Sequence, residues 1–308
     1  MSFNVIRHHR WWFVISSILV IISLISIFTK GFNFGIDYTG GTIVEVQFTK
    51  PVEVSQVRDV LKTFDLENAQ IQLSGDTAET AGEDVMIRTR NLEPSESAAV
   101  VEKLNSDIGE NTVKRIETVG AVIGSEVTQH ALLNLVIAFA VLALYISYRF
   151  EYRIAASALT AIFHDLIMVL GVFSFFQLEI DASFLAAILT VVGYSMNESV
   201  VIFDRVRENI RTHRRTDTYE CLAEDSIAQS IHRSIYTLTT VLLACGSLHF
   251  FGGESTKNFS LVMLIGFISG AYSSICVDTS LWVVWKSRTD KRRGLHSGED
   301  MPEESVEA

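Results

Sequence analysis

Long apolar runs alternate along the chain with short polar connections and one extended polar region. A helix needs about 20 mainly apolar residues to cross a bilayer, and the runs approach or exceed that length. They predict a polytopic α-helical membrane protein with six transmembrane helices. The runs lie at 11–28, 131–148, 154–176 and 184–203, with a fifth ending near Phe251 and a sixth from about Phe259 to Trp285.

The extended polar region between the first two runs is long enough for one small domain. One segment alternates with a period of two, three others are short apolar segments typical of strands, and two have helical spacing. The order βαββαβ predicts an extracytoplasmic ferredoxin-like α+β domain without catalytic groups. The predicted strands are 42–49, 69–73, 85–89 and 113–119, and the predicted helices are 54–64 and 94–108.

Basic residues favour the connections on one side of the membrane. The connection 204–215 carries five arginines, whereas 177–181 has no Lys or Arg and 252–258 has only Lys257. By the positive-inside rule, both termini are cytoplasmic and the polar domain is outside. The first run predicts an uncleaved anchor, because no small-x-small cleavage site precedes Lys30. The basic residues beside the membrane are Arg7, Arg10, Arg149, Arg153, Arg205, Arg207, Arg211, Arg214, Arg215, Lys286, Arg288, Lys291, Arg292 and Arg293.

These patterns divide the chain into consecutive parts. We predict a cytoplasmic N-terminus at 1–10, a first transmembrane helix at 11–29 and a periplasmic α+β domain at 30–129. Transmembrane helices two to six follow over 130–285, with a cytoplasmic loop at 204–231. The acidic cytoplasmic tail at 286–308 is predicted to be disordered.

Composition narrows the classes of partner and bond. The net charge is −11, and no basic stripe with interleaved aromatic residues is present, which argues against a nucleic-acid partner. Cys221, Cys245 and Cys276 form no paired framework, and two of them fall within apolar runs. A structural disulfide is therefore not expected.

The fourth apolar run contains the polar pair Asn197 and Glu198 before it ends at Phe203. An acidic residue at the centre of a membrane helix costs about 2.5 to 3.5 kcal/mol on insertion scales. The helical rise places the Glu198 carboxyl roughly 8 Å inside the cytoplasmic edge. One interpretation is that Glu198 reaches back to the headgroups; the other is that it binds and releases a proton.

Each of the other ionisable residues within the runs has two interpretations. Arg233 lies at the inner boundary of the fifth run, where it either anchors a helix end or serves as a counter-charge to Glu198, if the two are close. His164 and Asp165 lie near the middle of the third run. They are either hydrogen-bonded structural residues or part of a proton path reached before Glu198.

The sixth run carries one acid and a stripe of small residues. For Asp278, a packing or capping role and a functional role both remain open. The stripe is interpreted as a helix-packing face. It consists of Gly266, Ser269, Gly270, Ser273 and Ser274.

Several of these segments together resemble the SecF family, the smaller membrane subunit of the bacterial SecD and SecF protein-export complex. The resemblance covers nearly the whole chain. It implies six spans with a large domain after the first, the layout of half of a resistance-nodulation-division transporter. The matching segments are Gly35-Ile36-Asp37-Tyr38-Thr39-Gly40-Gly41, His164-Asp165, the stretch 193–209, His232-Arg233 and Phe251-Gly252-Gly253.

The resemblance implies a factor of the bacterial inner membrane that works with SecD beside the SecY, SecE and SecG channel. It further implies that the factor uses the proton motive force to help draw unfolded secretory polypeptides across the membrane. YajC and YidC are candidate further partners. No enzymatic activity and no cofactor are implied, only protons as the coupling ion. The implied coupling residues are Glu198, Arg233, Asn197, His164 and Asp165, and the implied motif or hinge residues are Gly35, Asp37, Gly40, Gly41, Gly120 and Gly124.

The chain departs from the family pattern at three positions. Glu198 stands where the family has an intramembrane aspartate, which keeps the acid and lengthens its reach. Ala121 replaces a usual proline where the domain rejoins the membrane. Asp278 stands where the family tends to have an apolar residue.

Three other functions stay open on the sequence. An efflux half-transporter of the same superfamily predicts a substrate cleft in the outer domain. A passive assembly subunit predicts that removing the charges of Glu198 and Arg233 is harmless. An intramembrane protease is disfavoured, because His-Glu-x-x-His and Gly-x-Ser-Gly are absent and Asp165 with Glu198 does not form the expected aspartyl pair.

Overall fold

A computed structural model describes residues 4–74, 83–212 and 218–292. Most of the connection 74–84 between two predicted strands, the arginines at 214 and 215, and the acidic tail beyond Arg292 lie outside the described residues. The chain forms two compact units. One is a domain over 34–133, and the other joins the chain before Phe34 to the chain after Leu133.

The domain contains a four-stranded antiparallel sheet in the order β3-β4-β2-β5. On the central strand, Val44 lies opposite Ile87 of β4 and Ile116 of β5. The elements in chain order are β1 (Asn33–Phe34), α2 (Ile36–Thr39), β2 (Gly41–Phe48), α3 (Val54–Lys62), β3 (Gln70–Ser74), β4 (Asp84–Thr89), α4 (Pro94–Asp107) and β5 (Asn111–Val119). From β2 to β5 the order of elements is βαββαβ.

Helices α3 and α4 pack on one face of this sheet and enclose its core. Both helices begin with a capping box, in which an acidic N-cap residue and the third helical residue satisfy each other's backbone N–H groups. Pro94 opens α4, where its missing N–H has no helical partner to lose. The core side chains include Val44, Val46, Phe48, Val57, Leu61, Val85, Ile87, Val100 and Leu104.

Gly41, at the start of β2, has a backbone conformation that other residues rarely adopt. Its φ is +134°, and an added Cβ would lie 2.5 Å from the backbone oxygen of Thr89. We expect Gly41→Ala to destabilise the domain by about 1 to 3 kcal/mol, the usual cost of a strained backbone position. The measurement is the temperature at which the domain of the purified chain becomes sensitive to trypsin.

Gly120→Ala is the matched control for this prediction. Gly120 belongs to the same set of motif glycines, but no atom lies within 4 Å of an added Cβ. The variant should keep the wild-type transition. Equal transitions for Gly41→Ala and Gly120→Ala would contradict the strain argument.

Six helices in the described ranges are long and apolar enough to cross a membrane. The predicted six spans are therefore confirmed, and the chain is a multi-pass membrane protein. The first five spans are α1 (His9–Lys30), α5 (Ala121–Arg149), α6 (Tyr152–Phe176), α7 (Ala182–Thr212) and α8 (Tyr219–Phe251), and the sixth comprises α9 (Glu254–Tyr272) and α10 (Thr279–Arg292). A π-helical turn, Ser273–Asp278, joins α9 to α10 as the sixth span, and the short strand β6 (Glu179–Ile180) precedes α7.

Two helix ends extend beyond the apolar runs. Helix α5 begins at Ala121, ahead of the predicted start of the second span. Helix α7 continues to Thr212 and α8 already begins at Tyr219. Helical structure therefore occupies much of the connection 204–231 that was predicted to be a loop.

Small residues allow the central helices to approach closely. An added Cβ at Gly171 of α6 would lie 2.8 Å from the Ser23 Cα of α1. Gly266 of α9 leaves no room beside Val191 of α7, and an added Cβ at Gly270 would lie 3.1 Å from the Ser195 Cβ. The predicted packing face on the sixth span is therefore confirmed at its two glycines.

Candidate functional site

Asp165 of α6 is the centre of a buried polar cluster. Its side chain is 1% exposed, and three serine hydroxyls donate hydrogen bonds to it. Ser195 of α7 donates at 2.6 Å and Ser273 of the π-helical turn at 2.7 Å, both to Oδ2; Ser269 of α9 donates at 2.7 Å to Oδ1. Asp165 thus ties three spans together.

His164 lies beside this carboxylate. Its Nδ1 is 3.1 Å from the Asp165 Oδ1, and its ring centroid is 6.2 Å from that of Tyr272 on α9. The His164 Nε2 is buried and has no hydrogen-bond partner among the described residues. Asp165 therefore makes the predicted hydrogen bonds to neighbouring helices. Their place in a proton path stays a prediction.

Glu198 of α7 is buried inside the membrane unit. The residue is 2% exposed, and its Oε2 has no hydrogen-bond partner among the described residues. A glutamate that reached the headgroups would expose its carboxyl group, so this burial argues against the headgroup interpretation. A buried carboxylate with an unpaired oxygen is costly when charged, and protonation removes most of that cost.

Arg233 does not pair with Glu198 in this structure. No ion pair between the two residues is present, and the Arg233 side chain is exposed on α8. The inward face of α8 is defined by Ser226, Ser230 and Ser234, which follow each other at four-residue spacing. Because one residue of rotation is about 100° in an α-helix, Arg233 falls outside that face. The predicted counter-charge contact is therefore absent here, and its role in coupling stays a prediction.

Asn197 and Asp278 differ in their burial, and the predicted role of Asn197 in coupling stays a prediction. The Asn197 side chain is exposed on α7 and lies outside the Asp165 cluster. Asp278 is fully buried in the π-helical turn, and neither of its carboxyl oxygens makes a hydrogen bond with normal geometry to a described residue. Ser157 of α6 and Ser199 of α7 adjoin this carboxyl group.

The serines of the cluster were not recognised from the sequence as polar partners. A signal was present, because small hydroxyl residues recur at four-residue spacing on α7 and on α9. Ser195 and Ser199 form the pair on α7, and Ser269 and Ser273 form the pair on the sixth span. Two hydroxyls one turn apart on an apolar helix place donors on one face, where they can meet a buried acid.

The motif glycines lie in the domain and support close backbone packing. Gly40 has a φ of +71°, which favours glycine. An added Cβ at Gly124 of α5 would lie 2.9 Å from the Gly40 nitrogen and 3.0 Å from the Tyr38 oxygen. Gly35 caps α2, and Asp37 lies in its first turn, where a negative charge is favourable. The predicted hinge role of these residues stays a prediction.

Comparison with known proteins gives the family. Residues 100–288 match the family model "Protein export membrane protein SecD/SecF, C-terminal", and residues 25–52 match "SecD/SecF GG Motif". A protein translocase subunit SecF from Acidaminococcus fermentans is 42% identical over 288 residues, covering 93% of this chain and 98% of the relative. The chain belongs to the SecF family. SecF subunits from Pseudomonas aeruginosa and Escherichia coli O157:H7 are 39% and 36% identical, each over 91% of this chain and over 90% and 86% of the relatives.

Solved structures agree with the SecF assignment. The crystal structure of SecDF, a translocon-associated membrane protein from Thermus thermophilus, superposes with a TM-score of 0.84 at 32% identity. The match covers 94% of this chain and 39% of the SecDF chain. SecDF in a super-membrane-facing form gives a TM-score of 0.69 at 31% identity. The resemblance first seen in the sequence motifs is therefore confirmed, and the chain spans well under half of the SecDF chain.

Proposed function

We propose that the chain is a proton-coupled subunit of the Sec accessory complex that promotes export of secretory proteins across the bacterial inner membrane. The observation that carries the proposal is the burial of Glu198, with an unpaired carboxyl oxygen, in a chain of the SecF family. Moving one charge through a potential of 100 mV is worth about 2.3 kcal/mol. One or a few protons per cycle therefore supply enough energy for a modest domain movement.

The proposed cycle begins when a proton from outside reaches Glu198 by way of His164 and Asp165. Neutral Glu198 no longer opposes burial, so α7 can change its packing against its neighbours. Asp165 transmits that change, because its serine bonds connect α6 and α7 to the sixth span. Arg233 acts as the counter-charge in a conformation that differs from this structure. The outer domain then moves through the connections 31–41 and 120–124 and passes its grip along the emerging polypeptide.

The proposed orientation places both termini in the cytoplasm and the domain in the periplasm. The basic residues of the connections support this orientation through the positive-inside rule. We assign the domain to the ferredoxin-like class, which the strand order β3-β4-β2-β5 and the two helices on one face support.

The proposed partners follow from the family. SecD is supported by the SecDF structure, of which this chain matches 39%. The SecY, SecE and SecG channel, YajC and YidC are further proposed partners, and unfolded secretory polypeptides are the proposed cargo. The chain acts without catalytic chemistry of its own, and protons are its coupling ion.

Accumulation of secretory precursors tests the proposal. Cells depleted of their native SecF would receive wild type, Glu198→Gln or Glu198→Asp, with matched membrane levels of each protein. Glutamine keeps the shape but cannot take up a proton, so we expect precursors to accumulate as in depleted cells. Aspartate keeps the acid and should restore most export.

Full rescue by Glu198→Gln would favour the passive assembly subunit. That second function has one observation in its favour, the absence of a Glu198–Arg233 ion pair in this structure. In a passive assembly subunit, the buried acids would contribute to helix packing alone. Failure of Glu198→Gln at normal abundance would exclude it.

A further inference from the structure

A column of buried polar residues lies between α6, α7 and the sixth span. Each helix contributes residues whose spacing places them on one face. On α6 they are Ser157 and Asp165, and on α7 they are Ser195 and Ser199. The sixth span contributes Ser269, Ser273 and Asp278.

The π-helical turn explains how Asp278 enters this column. In an α-helix, a residue five positions after Ser273 would be rotated well away from it. The turn Ser273–Asp278 widens the helix to hydrogen bonding at five-residue spacing, which returns Asp278 towards the face of Ser273. The Thr279 hydroxyl donates to the Ser274 carbonyl oxygen at 2.9 Å, five residues back, and supports the widened turn.

The two acids of the column have opposite surroundings. Asp165 accepts three serine hydrogen bonds. Asp278 is fully buried, and neither of its oxygens forms a hydrogen bond of normal geometry to a described residue. The hydroxyl of neighbouring Ser199 is also buried without a hydrogen bond of normal geometry to a described residue. A buried carboxylate in such surroundings is costly when charged, and a proton on Asp278 removes most of that cost.

We propose that Asp278 is a second proton-binding carboxyl group, in the same polar column as Asp165. The inference rests on the proposed proton-coupled function. In the proposed orientation, Asp278 lies on the cytoplasmic side of Asp165.

Among the ionisable groups on the helices packed around Asp278, Asp165 is the one that shares its polar column. His164 contacts Asp165, and Glu198 is one residue from Ser199 on a different face of α7. Lys286 of α10 pairs with Glu151 at 3.0 Å. Helix α1 carries no charged residue between Arg10 and Lys30, and the Tyr272 hydroxyl on α9 donates to the Trp12 carbonyl oxygen at 3.3 Å. Asp165 and Asp278 are both buried acids of the column, and at close range a charge on one disfavours a charge on the other.

Infrared spectroscopy of the purified full chain tests the inference without relying on export. Spectra would be recorded in lipid nanodiscs across a pH series for wild type, Asp278→Asn and Asp278→Glu. We expect wild type to show the carbonyl stretch of a buried protonated carboxyl group that disappears as pH rises. Asp278→Asn should lose this titrating band, and Asp278→Glu should retain one at a shifted frequency.

Two further measurements keep the inference open to contradiction. Asp165→Asn should retain the Asp278 band but change the pH at which it disappears, which a purely structural Asp278 would not do. Identical titrating bands in wild type and Asp278→Asn would overturn the inference, as would loss of the band on adding Na⁺ at constant pH, which would indicate a cation site. If Asp278→Asn does not fold, Ser199→Ala replaces it and must shift the same band. A failed infrared test leaves the export result with Glu198→Gln unaffected, so the two proposals fail separately.

Discussion

Replacing Asp165 with leucine is expected to lower the free energy of unfolding of the membrane unit by about 2 kcal/mol, since interhelical hydrogen bonds in membranes average about 0.6 kcal/mol each. Three serine hydroxyls on α7 and on the sixth span lose their common acceptor in Asp165→Leu. The apolar side chain offers none of them a new bond. Unfolding of the purified chain in mixed micelles with increasing sodium dodecyl sulfate measures the loss.

Asp165→Asn separates stability from proton coupling. Asparagine keeps the shape of the side chain and still accepts hydrogen bonds through its oxygen, so the destabilisation should be smaller than for leucine. It cannot carry a proton between Glu198 and the outside. We therefore expect precursors to accumulate with Asp165→Asn at wild-type abundance. Normal export at that abundance would assign Asp165 a structural role alone.

Replacing Gly171 with leucine is expected to deplete the chain from the membrane. The added side chain would enter the space held by Ser23 of α1, whose Cα lies 2.8 Å from an added Cβ. The Ser23 Cα belongs to the backbone and cannot rotate away as a side chain can, so α1 must separate from α6. Separation also removes the Ser26 to Ser174 hydrogen bond at 3.1 Å and the Lys30 bond to the Phe175 carbonyl oxygen at 2.9 Å.

The expected size of this effect follows from overpacking. Inserting extra methylenes into a packed interior costs about 1 to 3 kcal/mol, and a destabilisation of that size can change cellular abundance several-fold. Membrane levels at equal rates of synthesis give the readout. Gly246→Leu on α8 is the control, because no atom lies within 4 Å of an added Cβ there. Equal abundance of the two variants would show that α1 does not depend on close packing at Gly171.

Membrane spans were predictable from the sequence because a bilayer imposes one length on every apolar run. The start of α5 at Ala121 was not, since its first turns precede the apolar run and follow from helix continuity. The burial of Asp165 and Glu198 was also predictable, because charged residues at that depth turn inward. Hydropathy gives the depth of a residue in the membrane. It does not give the rotation of a helix about its axis, which decides which neighbouring helix the residue contacts.

That missing rotation explains why the predicted contact between Arg233 and Glu198 is absent from this structure. Depth alone placed Arg233 level with Glu198, but the inward serines of α8 turn Arg233 to the exposed side. The role of Asp278 was open on the sequence for a related reason. Asp278 follows Ser274 by four residues at the edge of the small-residue stripe, and the π-helical turn brings it towards the face of Ser273.

The most direct test of proton coupling uses inverted membrane vesicles with matched amounts of wild-type chain, Glu198→Gln or no chain. A secretory precursor is translocated with and without an imposed proton gradient, and an uncoupler gives the baseline. The account predicts that the gradient accelerates completion of translocation in wild-type vesicles beyond that in vesicles without the chain. Glu198→Gln vesicles should behave like vesicles without the chain. Equal acceleration with wild type and Glu198→Gln would contradict the account.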